Sequence, residues 1–143
     1  MQGGNDHMDY TAEAAVKFAD DKFATKTTGA VIEEARVGYA KCSLKITPDH
    51  LNANGSVMGG AIFTLADLAF AASSNVGGLS YVAVTSNIEY MRAAKGSGIL
   101  YAESRCRKAG RSFGFYEITV TDETGREVAL VSTTGYQRGA GQS

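Results

Sequence analysis

Apolar and polar positions along the chain repeat with two periods, one helical and one of strands. From Gly59 to Asn75 the chain is apolar and alanine-rich, free of proline and long enough for about four turns of helix. On that helix Gly60, Thr64, Asp67, Ala71 and Ser74 share one thin stripe. Ile62, Phe63, Leu65, Leu68 and Phe70 take the other faces, which predicts a helix buried nearly all round. Elsewhere the period is two. Val31 to Glu34 and Tyr39 to Thr47 read as strands joined at Arg36-Val37-Gly38, with Leu44 and Ile46 alternating against Ser43, Lys45 and Thr47. After Gly77-Gly78 four more strands follow. Tyr81 to Tyr90 places Val82, Val84, Ser86, Ile88 and Tyr90 on one face. Gly98 to Arg107 places Leu100, Ala102, Ser104 and Cys106 opposite Ile99, Tyr101 and Glu103. Ser112 to Thr121 is aromatic and β-branched, and Glu127 to Gln137 alternates through Val128, Leu130, Ser132 and Thr134. Asp122 to Arg126 is a hairpin turn with Gly125 suited to positive φ. Asp9 to Thr25 carries a broken helical pattern that predicts a short surface helix.

The order is helix, two strands, one long buried helix and four strands. That is an α+β pattern in which the buried helix lies against the concave face of a long antiparallel sheet. Residues 9–138 are expected to form the one domain, with a loose segment at 1–8 and a flexible tail at 139–143.

Composition narrows the function chiefly by exclusion. The 143 residues suit a single domain, and a formal charge of −1 leaves no basic footprint for nucleic acid. No apolar run approaches the roughly 20 residues of a membrane span. Cys42 and Cys106 lack CxxC spacing, so the expectation is a reduced, cytoplasmic protein without a metal site. His7 and His50 are the only histidines, and no GxSxG elbow supplies a serine for a triad. Walker and dinucleotide-binding glycine patterns are absent too.

Asp67 is the residue that the pattern leaves unexplained. It lies eight residues beyond Gly59, about 12 Å along a helix, too far to cap the N-terminus or meet its dipole. Aspartate is a poor helix-interior residue and is seldom buried without a partner. The plain alternatives are exposure to solvent or pairing with an arginine.

The loop before this helix and the helix itself carry a specific signature. His50-Leu-Asn52-Ala-Asn-Gly55-Ser-Val-Met58-Gly59-Gly60, followed by Leu65-Ala66-Asp67, resembles the HxNxxGxxHGGxxxxLAD motif of the hotdog-fold acyl-CoA thioesterases, phenylacetic-acid-degradation (PaaI-like) branch. Further matches are Phe18 to Phe23, Val84 to Ala93, Gly110-Arg111-Ser112 and Gly125 to Ala129, so the resemblance runs from about Ala14 to Tyr136. It implies a hotdog fold, a long curved antiparallel sheet wrapped around a central α-helix, and hydrolysis of an acyl-CoA to free acid and coenzyme A. Coenzyme A is then part of the substrate and no separate cofactor is implied. Met58 stands where the family usually has histidine, and methionine offers no comparable hydrogen bond.

Thioester cleavage needs charge stabilised on the carbonyl oxygen and either a nucleophile or an activated water. Gly59 and Gly60 at a helix start offer N–H groups at the positive end of the dipole, although two glycines also simply permit a tight turn. By the resemblance Asp67 is general base or nucleophile, Asn52 bonds within the catalytic loop or to the attacking water, and Thr85 helps hold that water. Asn52 alone also reads as turn chemistry, and Thr85 as an ordinary strand threonine. Met58, Gly60, Arg92, Lys108, Gly110, Arg111 and Ser112 are the candidate contacts to substrate and coenzyme A. The separation of Gly59 and Asp67 rules out one helix serving both ends of the reaction, which predicts a homodimer sharing the site, with a dimer of dimers open. Two alternatives stand beside hydrolysis. A hotdog dehydratase requires a catalytic histidine that Met58 removes, whereas a non-catalytic acyl-CoA binding protein is favoured by Met58.

Overall fold

The computed structural model describes residues 8–139. The loose segment expected at 1–8 and the tail expected at 139–143 therefore lie outside the described residues except for Met8 and Gly139. Six antiparallel strands form one sheet: β1 (Val31–Arg36), β2 (Tyr39–Lys45), β3 (Tyr81–Tyr90), β4 (Ile99–Ala109), β5 (Phe113–Asp122) and β6 (Glu127–Gln137), in spatial order β1-β2-β4-β5-β6-β3. A short helix α1 (Thr11–Phe18) leads into β1, and α2 (Gly59–Ser74) lies against the sheet's inner face.

The sheet holds α2 because the strands offer it one apolar face. Leu44, Leu100, Ala102, Ile118, Val120 and Val131 from four strands are all essentially inaccessible. They meet Ile62, Leu65, Ala66, Leu68, Ala69 and Ala72 of the helix, whose alanines let the backbones approach closely. The fold is the hotdog arrangement.

Four local expectations need correction. The first helix stops at Phe18, and a separate π-helical turn spans Phe23–Thr27. Asp20 and Asp21 fall in the break, where their short polar side chains disfavour helix. In β6 the inward set is Val131, Thr133 and Gly135, so Leu130, Ser132 and Thr134 are on the outer side. In β3 the register shifts between Ala83 and Thr85, which breaks the single face expected from Val82 to Tyr90. Finally, α2 is not buried all round. Gly60 and Asp67 are exposed and Thr64 and Ala71 half-buried, so the thin stripe faces outward from the protomer until its last member, Ser74, which is fully buried.

Candidate active site

The loop into α2 is built almost wholly by local hydrogen bonds. Asn52 Oδ1 accepts from the N–H groups of Asn54 (2.9 Å) and Ser56 (3.1 Å), while Asn52 N–H donates to Ser56 O at 2.7 Å. Asn52 thus holds the loop, the turn chemistry that its sequence context allows. His50 anchors the loop from behind. Its Nδ1 accepts from Thr47 N–H at 3.0 Å, which leaves Nε2 as the donor to Thr28 O at 2.6 Å. With both ring nitrogens committed to backbone, His50 is spent on structure.

Met58 is the N-cap of α2, with extended backbone, no side-chain cap and a side chain that is 56% exposed. Its N–H donates to His50 O at 2.8 Å and its carbonyl receives Ala61 N–H at 3.0 Å. The N–H groups of Gly59 and Gly60 have no acceptor among the described residues and sit at the positive end of the helix. Tyr90, at the end of β3, closes this position. Its hydroxyl donates to Gly59 O at 2.9 Å, and a Cβ placed on Gly59 would lie 2.8 Å from that hydroxyl oxygen. Close approach of the Tyr90 ring, rather than backbone conformation, is what favours glycine there. In the sequence Tyr90 is a strand residue within the Val84 to Ala93 match. A clash with Gly59 cannot be read from residues so far apart in the chain.

Asp67 stands two turns further on, where two clefts meet. One, of about 400 Å³, is bounded by Phe70, Tyr81, Val82 and Ala83, with Lys17 and Arg138 at its edge. The other, of about 430 Å³, runs beneath Asp21, Lys22 and Phe23 against Phe63 and Leu68. No hydrogen bond or ion pair engages the Asp67 carboxylate among the described residues, so of the two plain alternatives the protomer shows exposure to solvent and not an arginine partner. Although open to solvent in the single protomer, its carboxyl has packed neighbours that raise its pKa, mainly by desolvation and secondarily through the charge of Asp21. Lys17 does not offset this, because its ammonium is turned onto Asn75 O at 3.1 Å. The Nε of Arg138 is buried without a hydrogen-bond partner among the described residues, leaving a donor at the cleft for a bound acceptor. An aspartate with a raised pKa and no internal partner can take a proton or attack a carbonyl carbon.

The structure does not bring all the candidate residues together in one protomer. Thr85 is exposed on β3 opposite Thr134, at the edge of the sheet. Arg92 is exposed just past the Tyr90 end of that strand. Lys108, Arg111 and Ser112 are exposed at the opposite end, where Ser112 O accepts from Gln137 N–H at 2.7 Å and Gln137 pairs with Tyr81. Gly110 N–H is used within its own turn, donating to Phe113 O at 2.8 Å. Gly59 and Arg92 thus mark one end of β3, and Asp67 and the Lys108–Ser112 turn mark the other.

Comparison with known proteins identifies the family and the fold. The thioesterase superfamily model matches residues 54–129, from the loop through most of the sheet. The chain is 33% identical over 105 residues to acyl-coenzyme A thioesterase PaaI of Escherichia coli, covering 73% of this chain and 75% of that protein. The solved structure of E. coli PaaI, from the phenylacetic acid degradation operon, superposes with a TM-score of 0.79 at 28% identity, covering 91% of this chain and 97% of that one. A hypothetical thioesterase of Streptococcus pneumoniae, solved with coenzyme A, gives 0.78 at 27% identity over 86% of this chain and 98% of its own. The loop, the glycine-started helix and the wrapping sheet are therefore those of a known group, and the chain belongs to the thioesterase superfamily as a hotdog-fold member similar to PaaI.

Proposed function

We propose that this protein hydrolyses an acyl-CoA thioester to a free acid and coenzyme A, and that its site is shared between two copies of the chain. The carrying observation is the unpartnered Asp67 with its raised pKa, set about 12 Å along the helix from the free N–H groups of Gly59 and Gly60. The Gly59 N–H receives the developing negative charge on the thioester oxygen. Asp67 supplies the second half, either removing a proton from water or attacking the carbonyl carbon itself.

The edge strand β3 supports the sharing. Among the described residues it pairs only with β6 and leaves its other edge open over ten residues, with Val82, Val84 and Tyr90 exposed. Antiparallel pairing of β3 with its copy about the middle of the strand sets the Tyr81 end of one beside the Tyr90 end of the other. Asp67 of one protomer then approaches the partner's Gly59, and the partner's Arg92 approaches the Lys108–Ser112 turn. These cations, with Gly60 and Met58 at the helix start, would meet the phosphates and pantetheine arm of coenzyme A. Thr85, exposed on the same strand, would meet the water near Asp67. A second copy of that pair is compatible with a dimer of dimers. Free thiols at Cys42 and Cys106 support a reducing, cytoplasmic setting, and no described helix is long and apolar enough to cross a membrane.

Steady-state hydrolysis of an acyl-CoA panel by the native protein and Asp67→Asn tests this reading. The substitution should cost at least about 10²-fold in kcat, the scale of a general base. Equal rates reject the assignment. Tight binding of acyl-CoA without turnover favours the binding-only alternative, whose support is Met58, and Met58→His then measures what the missing imidazole withholds.

A further inference from the structure

The two glycines that open α2 are glycine for different reasons. At Gly59 the reason lies inside the protomer, in the approach of the Tyr90 ring. At Gly60 no such reason is found among the described residues. A Cβ there meets nothing within 4 Å beyond its chain neighbours and its own turn of helix. The backbone φ of Gly60 is not positive, and the residue is exposed. Glycine in a helix is less stable than alanine, so its presence where a methyl group has room needs a cause outside the protomer. Close approach of another molecule to the bare backbone is such a cause.

The hydrogen bonds around these glycines indicate what approaches. A peptide unit joins the carbonyl of one residue to the N–H of the next, so a bond accepted by the carbonyl polarises that N–H. The Gly59 N–H shares its unit with Met58 O, which accepts from Ala61 N–H at 3.0 Å and from Ile62 N–H at 3.3 Å. The Gly60 N–H shares its unit with Gly59 O, which accepts from the Tyr90 hydroxyl at 2.9 Å. Both N–H groups belong to the first turn and lie at the positive end of the helix, where neighbouring donors suit one anionic oxygen between them. Met58 makes no side-chain cap. Tyr90 is thus the one side chain hydrogen-bonded to either peptide unit among the described residues.

We propose that the Gly60 N–H is a second donor to the thioester oxygen, beside that of Gly59, and that Tyr90 is the positioning residue that strengthens it through Gly59 O. The proposal rests on the thioesterase reading and deepens it, since the developing charge is held by two N–H groups rather than one. No proton is transferred to the oxygen, which carries its charge while both groups donate to it. Tyr90 stands at the end of the strand edge proposed to pair with a second copy, so the donor pair is steadied from that seam.

The test is steady-state hydrolysis of an acyl-CoA panel by the native protein, Tyr90→Phe, Gly60→Ala and the double variant, with sedimentation and Tm on the same samples. Tyr90→Phe keeps the ring against Gly59 and deletes only the hydroxyl. It should lower kcat about three- to ten-fold, the weight of one hydrogen bond, and leave KM unchanged, because the bond counts most when charge forms. The amide nitrogen resonance of Gly60 should shift in this variant, and by more than that of Gly59. Gly60→Ala should keep the native sedimentation and a Tm no lower than native, yet lose at least about ten-fold in kcat, because its methyl crowds the approaching oxygen. The double variant should lose no more than Gly60→Ala alone, since a crowded donor leaves Tyr90 nothing to strengthen. Full activity in either folded single variant, a rise in KM alone, an unmoved Gly60 resonance, or losses that add in the double variant overturn the donor pair and leave hydrolysis standing. A lower Tm or altered sedimentation in Gly60→Ala does the same, because it places the reason for the glycine in packing. A native protein that hydrolyses no member of the panel overturns the thioesterase reading, and the donor pair with it.

Discussion

The two edges of the sheet are treated in opposite ways. At one edge β1 is short, its register is shifted between Ile32 and Glu34, and it carries Glu33, Glu34 and Arg36. The start of α1 covers part of it, with Tyr10 N–H donating to Ala35 O at 2.8 Å and Ala35 N–H to Thr11 Oγ1 at 3.0 Å. Charge, irregularity and a cover are the usual defences of an edge strand. At the other edge β3 runs for ten residues with Glu89 as its one charge and with Val82 and Val84 exposed. A protein that guards one edge and leaves the other open has a use for the second. The open edge is also the one that links the Asp67 end of α2, at Ala83, to the Gly59 end, at Tyr90.

The sharpest way to break the contrast is to charge each edge in turn. If β3 is the proposed seam between two copies, Val84→Lys should keep the chain monomeric and lower activity by at least about 10²-fold, because the Gly59 donor of a single protomer is out of reach of its own Asp67. Glu33→Lys on β1 should leave both unchanged. Sedimentation and turnover measured on the same samples distinguish them, and equal effects at the two edges would remove the distinction.

Gly59→Ala is expected to come next, at up to about 10²-fold in kcat, since its Cβ forces Tyr90 away and breaks the hydrogen bond by which Tyr90 holds Gly59 O at the helix start. In a Tyr90→Ala background the same change should add little. A full penalty there would show that backbone freedom, not close approach, is what Gly59 provides.

Smaller effects concern charge. Asp67 must be ionised to act as base, so kcat/KM should fall with acid at a pH above the ordinary carboxylate range. Asp21→Asn removes a negative charge that favours the protonated form, so it should shift this limb to lower pH. Desolvation is the larger cause, so the limb should still lie above the ordinary range. An unmoved limb would mean that Asp21 does not act on Asp67.

The smallest change expected is in stability. A carboxylate whose pKa is raised by folding contributes stability that is present below its unfolded pKa and is lost as pH rises through its folded pKa. Asp67→Asn should therefore raise Tm modestly at pH 7, with the advantage shrinking as pH falls toward about 4. A lower Tm at neutral pH would mean that Asp67 makes a stabilising contact in the assembled protein.

Much of the fold was legible from period alone, because β2, β4, β5 and β6 each bury one face along much of their length and α2 is long and free of breakers. Both Tyr81–Tyr90 and Glu127–Gln137 are found at their expected limits. The inner face of β6 was not legible, since Val128, Leu130, Val131 and Thr133 offer apolar or β-branched residues to both sides. In β3 the shift near Thr85 depends on pairing with β6, which no local pattern encodes. Within the site, the stripe that singles out Asp67 was readable from helical spacing. Tyr90 against Gly59 is a contact between sheet and helix and exists only once both are in place.

The central claim is that each site draws Gly59 from one chain and Asp67 from the other. Mixed dimers of Asp67→Asn with Gly59→Ala, carrying distinct tags and purified by both, test it most directly. A shared site predicts that two impaired parents yield a mixed dimer with one intact site, well above either parent in activity. Mixed dimers no more active than their parents would place both groups in the same chain and contradict the account.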